Sequence, residues 1–203
     1  MTANLIMKDN ATARAANMAD YASARADFTW EKARAQIDGL KNGKLNIAHE
    51  AVDRHVQSGH GAQIALRWIS KSGKRTDFTY QDLNGLANRF ANVLKSTGIR
   101  RGDKVYALLG RVPELYIAAL GTLKAGAVFC PLFSAFGPEP IRSRMEIGGA
   151  NAIVTSGRLY TRKLKTLRQG LPDLHQVYLT DGAHDSTADL ASLMRNASET
   201  FET

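Results

Sequence analysis

LKAGAVFCPLFSAFGPE, residues 123–139, decides how this chain folds. Gly126 can take a left-handed C-cap without a Cβ penalty, so a helix is expected to end there. Val128, Phe129 and Cys130 follow as an unbroken apolar run, which predicts a strand buried on both faces, as in a parallel sheet. Pro131 donates no ladder hydrogen bond and is read as the strand's carboxyl end. Residues 132–137, two phenylalanines among small residues, then form a loop, and Pro138-Glu139 opens the next helix. Ligands collect at the carboxyl ends of strands in open α/β sheets. An apolar loop of small residues there suits a long thin ligand passing close to the backbone. Leu132, Phe133 and Phe136 have few neighbours in such a loop and are expected at an exposed apolar edge.

Working outward, strand and helix alternate. Strands are expected at 104–109, 127–131, 151–155 and 175–180, with helices at 113–125, 138–147 and 159–169 between them. Crossovers of this length mean parallel strands. The fold class is therefore α/β, a parallel sheet flanked by helices. Upstream, Thr79 caps a helix carrying Leu83, Leu86, Phe90 and Leu94 at helical spacing, ended by Gly98. Strands 63–69 and 76–80 make a β-hairpin around Lys71-Ser72-Gly73-Lys74. That turn is no phosphate loop, since no glycine stands at the required distance and no Ser or Thr follows Lys74.

Asn46 caps a helix in which Ile47, Ala51, Val52 and Val56 share a face. Residues 1–45 read as an N-terminal helical arm, with an alanine-rich helix over 10–26 and a second helix capped by Thr29. Residues 46–203 read as one α/β subdomain. The tail carries a short helix near 189–195 and is expected to fray beyond it.

Of the 203 residues, 44% are hydrophobic, enough for a core. The net charge of +8 is scattered without a Lys/Arg run, so no nucleic-acid partner is expected. One cysteine gives no internal disulfide. No stretch approaches about 18 apolar residues, so no membrane partner and a cytoplasmic setting are expected. His49 and His55 stand roughly 240° apart around a helix and cannot converge on one metal ion.

LKAGAVFCPL resembles a core motif of the AMP-forming acyl-CoA synthetases, in the adenylate-forming superfamily. Two further segments are similar to the acetyl-CoA synthetases (acetate–CoA ligases) within it. These are Asn46-Ile47-Ala48-His49-Glu50-Ala51-Val52-Asp53-Arg54-His55 and Phe133-Ser134-Ala135-Phe136-Gly137-Pro138-Glu139. Tyr80, Leu83, Gly98, Gly102 and Asp103 fit the wider family's pattern, and Phe28-Thr29-Trp30 resembles an aromatic pair ahead of its core. The resemblance implies the first subdomain of that fold, incomplete.

For the complete protein, it implies ATP-dependent activation of acetate or another short carboxylate to an acyl-adenylate, then transfer to CoA, with Mg2+ as cofactor. Phe133, Ser134 and Ala135 would line the passage for the pantetheine arm of CoA. Arg162 and Lys165 would meet its 3′-phosphate, although read from the residues alone they are two solvated charges on a helix face.

No Ser/Thr/Gly-rich phosphate loop, ribose aspartate, magnesium acid or adenylating lysine is recognisable, so no catalytic residue and no ATP, Mg2+ or other metal site is assigned within these residues. The remainder of the enzyme is then a further partner, and the chain alone is expected to be inactive. Two other readings stay open: a stand-alone CoA-binding module without catalysis, and a basic α/β regulatory module.

Overall fold

The computed structural model describes residues 9–11, 18 and 20–203, which fall into two compact units parting between Asp38 and Gly39. The composition places the boundary at 45/46. Residues 39–45 instead stay with the α/β unit, where Gly39 N–H donates to the Glu50 carboxylate at 2.6 Å.

In the first unit, Asp20 caps α1 (Tyr21–Asp27) and Thr29 caps α2 (Trp30–Ala35), the latter through Lys32 N–H at 3.2 Å. Neither helix buries a residue, and Phe28 meets Trp30 edge-on at 5.3 Å. Residues 12–17 and 19 of the expected 10–26 helix lie outside the described residues.

The second unit begins with helical turns, His49–Asp53 and Val56–His60, and then the antiparallel hairpin β1 (Ile64–Ile69) and β2 (Arg75–Thr79). Arg75 and Arg67 both bond Asp77 and hold its carboxyl well below the usual carboxylate range. Thr79 caps α3 (Tyr80–Ser96), as the sequence predicts, and Asp82 completes a reciprocal cap by accepting from the Thr79 N–H.

Five parallel strands follow: β3 (Lys104–Leu108), β4 (Val128–Leu132), β5 (Ala150–Thr155), β6 (Gln176–Leu179) and the short β7 (Ala188–Asp189). Their spatial order is β4-β3-β5-β6-β7. The helices between and after them are α4 (Pro113–Lys124), α5 (Pro138–Gly148), α6 (Gly157–Leu159) and α7 (Leu190–Asn196).

Alternation along the strands sends side chains to both sides of the sheet. Val105, Val154 and Tyr178 pack with Phe90, Leu94 and Ile117 on one face. Tyr106, Ile153 and Leu179 pack with Ile141, Met145 and Leu164 on the other. Each such buried aliphatic or aromatic chain contributes about 1.5–3 kcal/mol. Helices α3 and α4 approach so closely that a Cβ at Gly121 would stand 2.8 Å from the Ala87 carbonyl.

At the β4 edge, in the loop after it and in the tail, the structure also corrects the sequence. Strand β4 is an edge strand, not one buried on both faces, and Val128 is 47% exposed. Pro131 lies inside it rather than ending it, paired with Ala107. The reason is geometric: Val128 N–H bonds inward to the Asp103 carbonyl, so by the period of two Phe129 and Pro131 turn their backbone outward. The missing proline N–H therefore falls on the free edge and blunts it. Second, Leu132 is buried in the cluster around Ile141 and Met145, while Phe133 is 65% exposed and Phe136 packs partly against that cluster.

Third, the tail does not fray after α7. Arg89 donates to the carbonyls of Met194 and Ala197 at 2.8 and 2.7 Å and bonds the Glu199 carboxylate at 3.0 Å. Asn92 bonds the carbonyls of Ser198 and Thr200, and Asn88 that of Glu199.

Asn88 also faces a buried ion pair. The Lys124 ammonium, 3% exposed as a residue, lies 2.6 Å from Asp53 Oδ1 and donates to Asn88 Oδ1 at 2.6 Å. Burial pushes the Lys124 pKa down, and Asp53 opposes that shift. Asn46 caps its own helix and donates to the Leu123 carbonyl at 2.7 Å, beside Lys124.

Removing one partner of such a pair strands a buried charge, which costs about 3–5 kcal/mol. Lys124→Met is therefore expected to lose about that much unfolding free energy in urea, and Lys124→Met with Asp53→Leu to regain most of it. A loss under about 1 kcal/mol in the single variant would be the surface-pair value and would contradict burial of the charge.

Candidate functional site

Because the strands are parallel, their carboxyl ends open on one side of the sheet, and the loops that follow β3, β4, β5 and β6 gather there. After β3, the Arg111 carbonyl accepts the Trp68 indole N–H at 2.8 Å, which ties this loop to the hairpin. After β5, Thr155 is buried and spends its hydroxyl on the Leu108 carbonyl at 2.8 Å, while Ser156 caps the next helical turn through Leu159 N–H. Gly157 N–H donates to Asp181 at 2.6 Å. The Thr155-Ser156-Gly157 run is thus consumed by the fold and leaves no free cradle for phosphate.

The loop after β4 is the most defined feature. Phe136 N–H returns to the Phe133 carbonyl at 3.0 Å, closing a turn around Ser134 and Ala135. The two rings meet edge to face at 5.6 Å and 89°, a favourable aromatic geometry. The Arg144 guanidinium lies 4.5 Å over the Phe136 ring. Lys163 Nζ reaches across from the next crossover and donates to the carbonyls of Ser134 and Phe136 at 2.6 and 2.7 Å. The result is a rigid bend whose outer surface presents Phe133.

Of the residues singled out in the sequence, Phe133, Ser134 and Ala135 sit together on this bend. Arg162 and Lys165 follow on the crossover after β5. The expected 159–169 helix is there a one-turn α6 followed by a wider turn, Tyr160–Leu164. Arg162 is exposed and makes no hydrogen bond or ion pair among the described residues. Lys165 pairs with Asp185 at 2.9 Å, and this contact raises the lysine pKa and lowers that of the aspartate.

Of the three cations on this crossover, Lys163 touches the loop, and neither Arg162 nor Lys165 does. Sequence reasoning passed it over because the wider turn changes which side chains share a face. His49 is buried within the docked helix and His55 stacks on Tyr80 at 4.6 Å. Among the described residues, no His, Cys, Asp or Glu group of three could hold a metal ion, and no helix is long and apolar enough to cross a membrane.

This arrangement can bind and position a ligand. It offers an apolar bend, a free guanidinium and a carboxylate-held ammonium. The Thr155 and Ser156 hydroxyls after β5 are engaged within the fold.

The AMP-binding enzyme family matches residues 52–200. The chain belongs to that family. The acetyl-coenzyme A synthetase of Bacillus subtilis is 34% identical over 176 residues, covering 86% of this chain and 30% of that protein. The 3-hydroxypropionyl-coenzyme A synthetase of Sulfurisphaera tokodaii is 35% identical over 146 residues, covering 69% of this chain and 22% of that protein. An acyl-CoA synthetase from Brucella canis superposes with a TM-score of 0.77 at 31% identity, over 90% of this chain and 33% of the other. The chain thus spans about a third or less of the length of these relatives. The resemblance read from residues 46–55 and 123–139 holds, as does the α/β fold it implied.

The Lys165–Asp185 pair is half-exposed and screened by solvent, so its net contribution to stability is small. Asp185→Asn should therefore leave the urea midpoint almost unchanged, while the Lys165 pKa falls back toward its ordinary value. NMR titration of the Lys165 side chain checks this; an unmoved pKa would show that Asp185 does not hold the ammonium.

Proposed function

We propose that the protein containing this chain is an AMP-forming acid–thiol ligase of the acetate–CoA ligase kind. It would activate a short carboxylate with ATP and Mg2+ to an acyl-adenylate and pass the acyl group to CoA in the cytoplasm. The observation that carries this reading is 34% identity to an acetyl-coenzyme A synthetase along 86% of the chain. Within it, Phe133, Ser134 and Ala135 form the wall along which the pantetheine arm of CoA passes. Arg162 meets the 3′-phosphate, and Lys165 joins it by exchanging Asp185 for the phosphate. Arginine is the better suited of the two, since its planar fork bonds phosphate in a bidentate manner. The steps of adenylation draw on groups outside these residues, so the chain alone should bind without turning over.

The blunted edge at Pro131, the helices on both sheet faces and the pinned residues 197–200 also favour a second reading, a self-contained CoA-binding or regulatory module. The two readings part on one assay. Under the ligase reading, the chain shows no acetate-dependent exchange of pyrophosphate into ATP, whereas the longer protein carrying it does. Exchange by the chain itself, abolished by a substitution within it, contradicts the assignment; no exchange by the longer protein favours the module.

The CoA contacts are tested separately. Losing a charge-assisted phosphate contact costs on the order of 1.5–3 kcal/mol, about tenfold or more in affinity. Arg162→Ala should weaken CoA by that factor and leave 3′-dephospho-CoA unaffected. Equal loss for both ligands would place Arg162 elsewhere on the molecule.

A further inference from the structure

We infer that Lys163 is a positioning residue that shapes the 133–137 loop for its ligand and holds it in register with Arg162. The inference rests on the CoA reading above and goes beyond it, because Lys163 touches the loop rather than the ligand. Its ammonium accepts no ligand role in this geometry: two of its three donors are spent on the carbonyls of Ser134 and Phe136.

Those carbonyls belong to residues two apart, and drawing both onto one cation is possible only if the backbone between them bends. The Phe136 N–H to Phe133 carbonyl bond closes the same bend from within. Arg144 fixes Phe136 through its ring, so the loop is gripped from two helical segments at once. With its carbonyls turned to Lys163, the loop leaves the Phe133 ring for an apolar arm.

The anchor is firm because the residues flanking it on the same turn, Tyr160 and Leu164, are buried in the core beneath the sheet. Arg162 precedes Lys163 on that turn and has no partner among the described residues. One turn of chain therefore offers a free guanidinium to an anion and a bound ammonium to the loop. A ligand with an extended apolar arm and a phosphate group would meet both parts at a spacing set by Lys163. Shortening or neutralising that side chain should release the loop while leaving Arg162 in place.

The test uses the chain as it stands, with Lys163→Met and Lys163→Arg. Exchange of the Phe136 amide, whose N–H closes the bend, read by NMR, should accelerate about tenfold or more in Lys163→Met, the scale of one lost charge-assisted hydrogen bond. CoA, titrated against the amide signals of Phe133 and Phe136, should bind more weakly by a similar factor. Lys163→Arg, which keeps the charge and donors, should restore both, and exchange in the β3 and β5 amides should not change. Unchanged exchange at the Phe136 amide overturns the inference. Faster exchange with CoA affinity unmoved overturns its ligand half. If CoA shifts no loop signal even in the unsubstituted chain, the CoA reading itself fails, while the exchange data still decide whether Lys163 holds the loop.

Discussion

The structure depends on one buried cation. The Lys124 ammonium sits at the end of α4, out of water, and an isolated ammonium there would be far too costly to keep charged. Asp53 supplies the counter-charge and Asn88 a neutral acceptor. These two partners come from segments distant in sequence, the docked helical turn at residues 49–53 and α3. Asn88 then donates its amide N–H to the Glu199 carbonyl, so the tail is held by the same side chain that accepts the Lys124 hydrogen bond. Satisfying one charge thus fixes the mutual placement of four segments. A polar network of this kind stabilises only when every member is bonded, which makes it sensitive to any single loss.

That constraint explains why residues 46–55 contain little chemistry. Asn46 caps and cross-links, Glu50 holds Gly39, Asp53 pairs with Lys124, and His55 stacks on Tyr80. Each of these polar residues has a structural task. The site depends on this packing only indirectly: α4 leads into β4, and β4 delivers the loop at 133–137. The loop owes its shape to a separate set of contacts, two carbonyls on Lys163 and a ring beneath Arg144. The base of the sheet and the loop at the carboxyl end of β4 are therefore stabilised by different charges.

Much of this was legible in the sequence for physical reasons that act locally. Thr79, Thr29 and Asn46 mark helix starts because their side chains bond the first free amides. The alternation of apolar strands and helices implied a parallel sheet covered on both faces. What stayed hidden depends on tertiary position. A proline after three apolar residues looks like the end of a central strand, and only the strand order reveals it as the protected edge. The tail looked free because its anchors, Asn88, Arg89 and Asn92, lie some hundred residues away on α3. Lys163 was overshadowed by Arg162 and Lys165, because a turn of unusual width decides which of three neighbouring cations faces the loop.

The central claim, that one buried charge network joins the docked turn, α3 and the tail, is tested most directly by native-state hydrogen exchange under low urea. Amides in regions that open together share one opening free energy and one urea dependence. The account predicts that protected amides at residues 50–53 and the bonded tail amides of Ala197 and Thr200 converge on a common isotherm well above fraying values. Exchange at Ala197 and Thr200 with near-zero opening free energy, while 50–53 remained protected to the global limit, would show that the tail is not held by the network and would contradict the account.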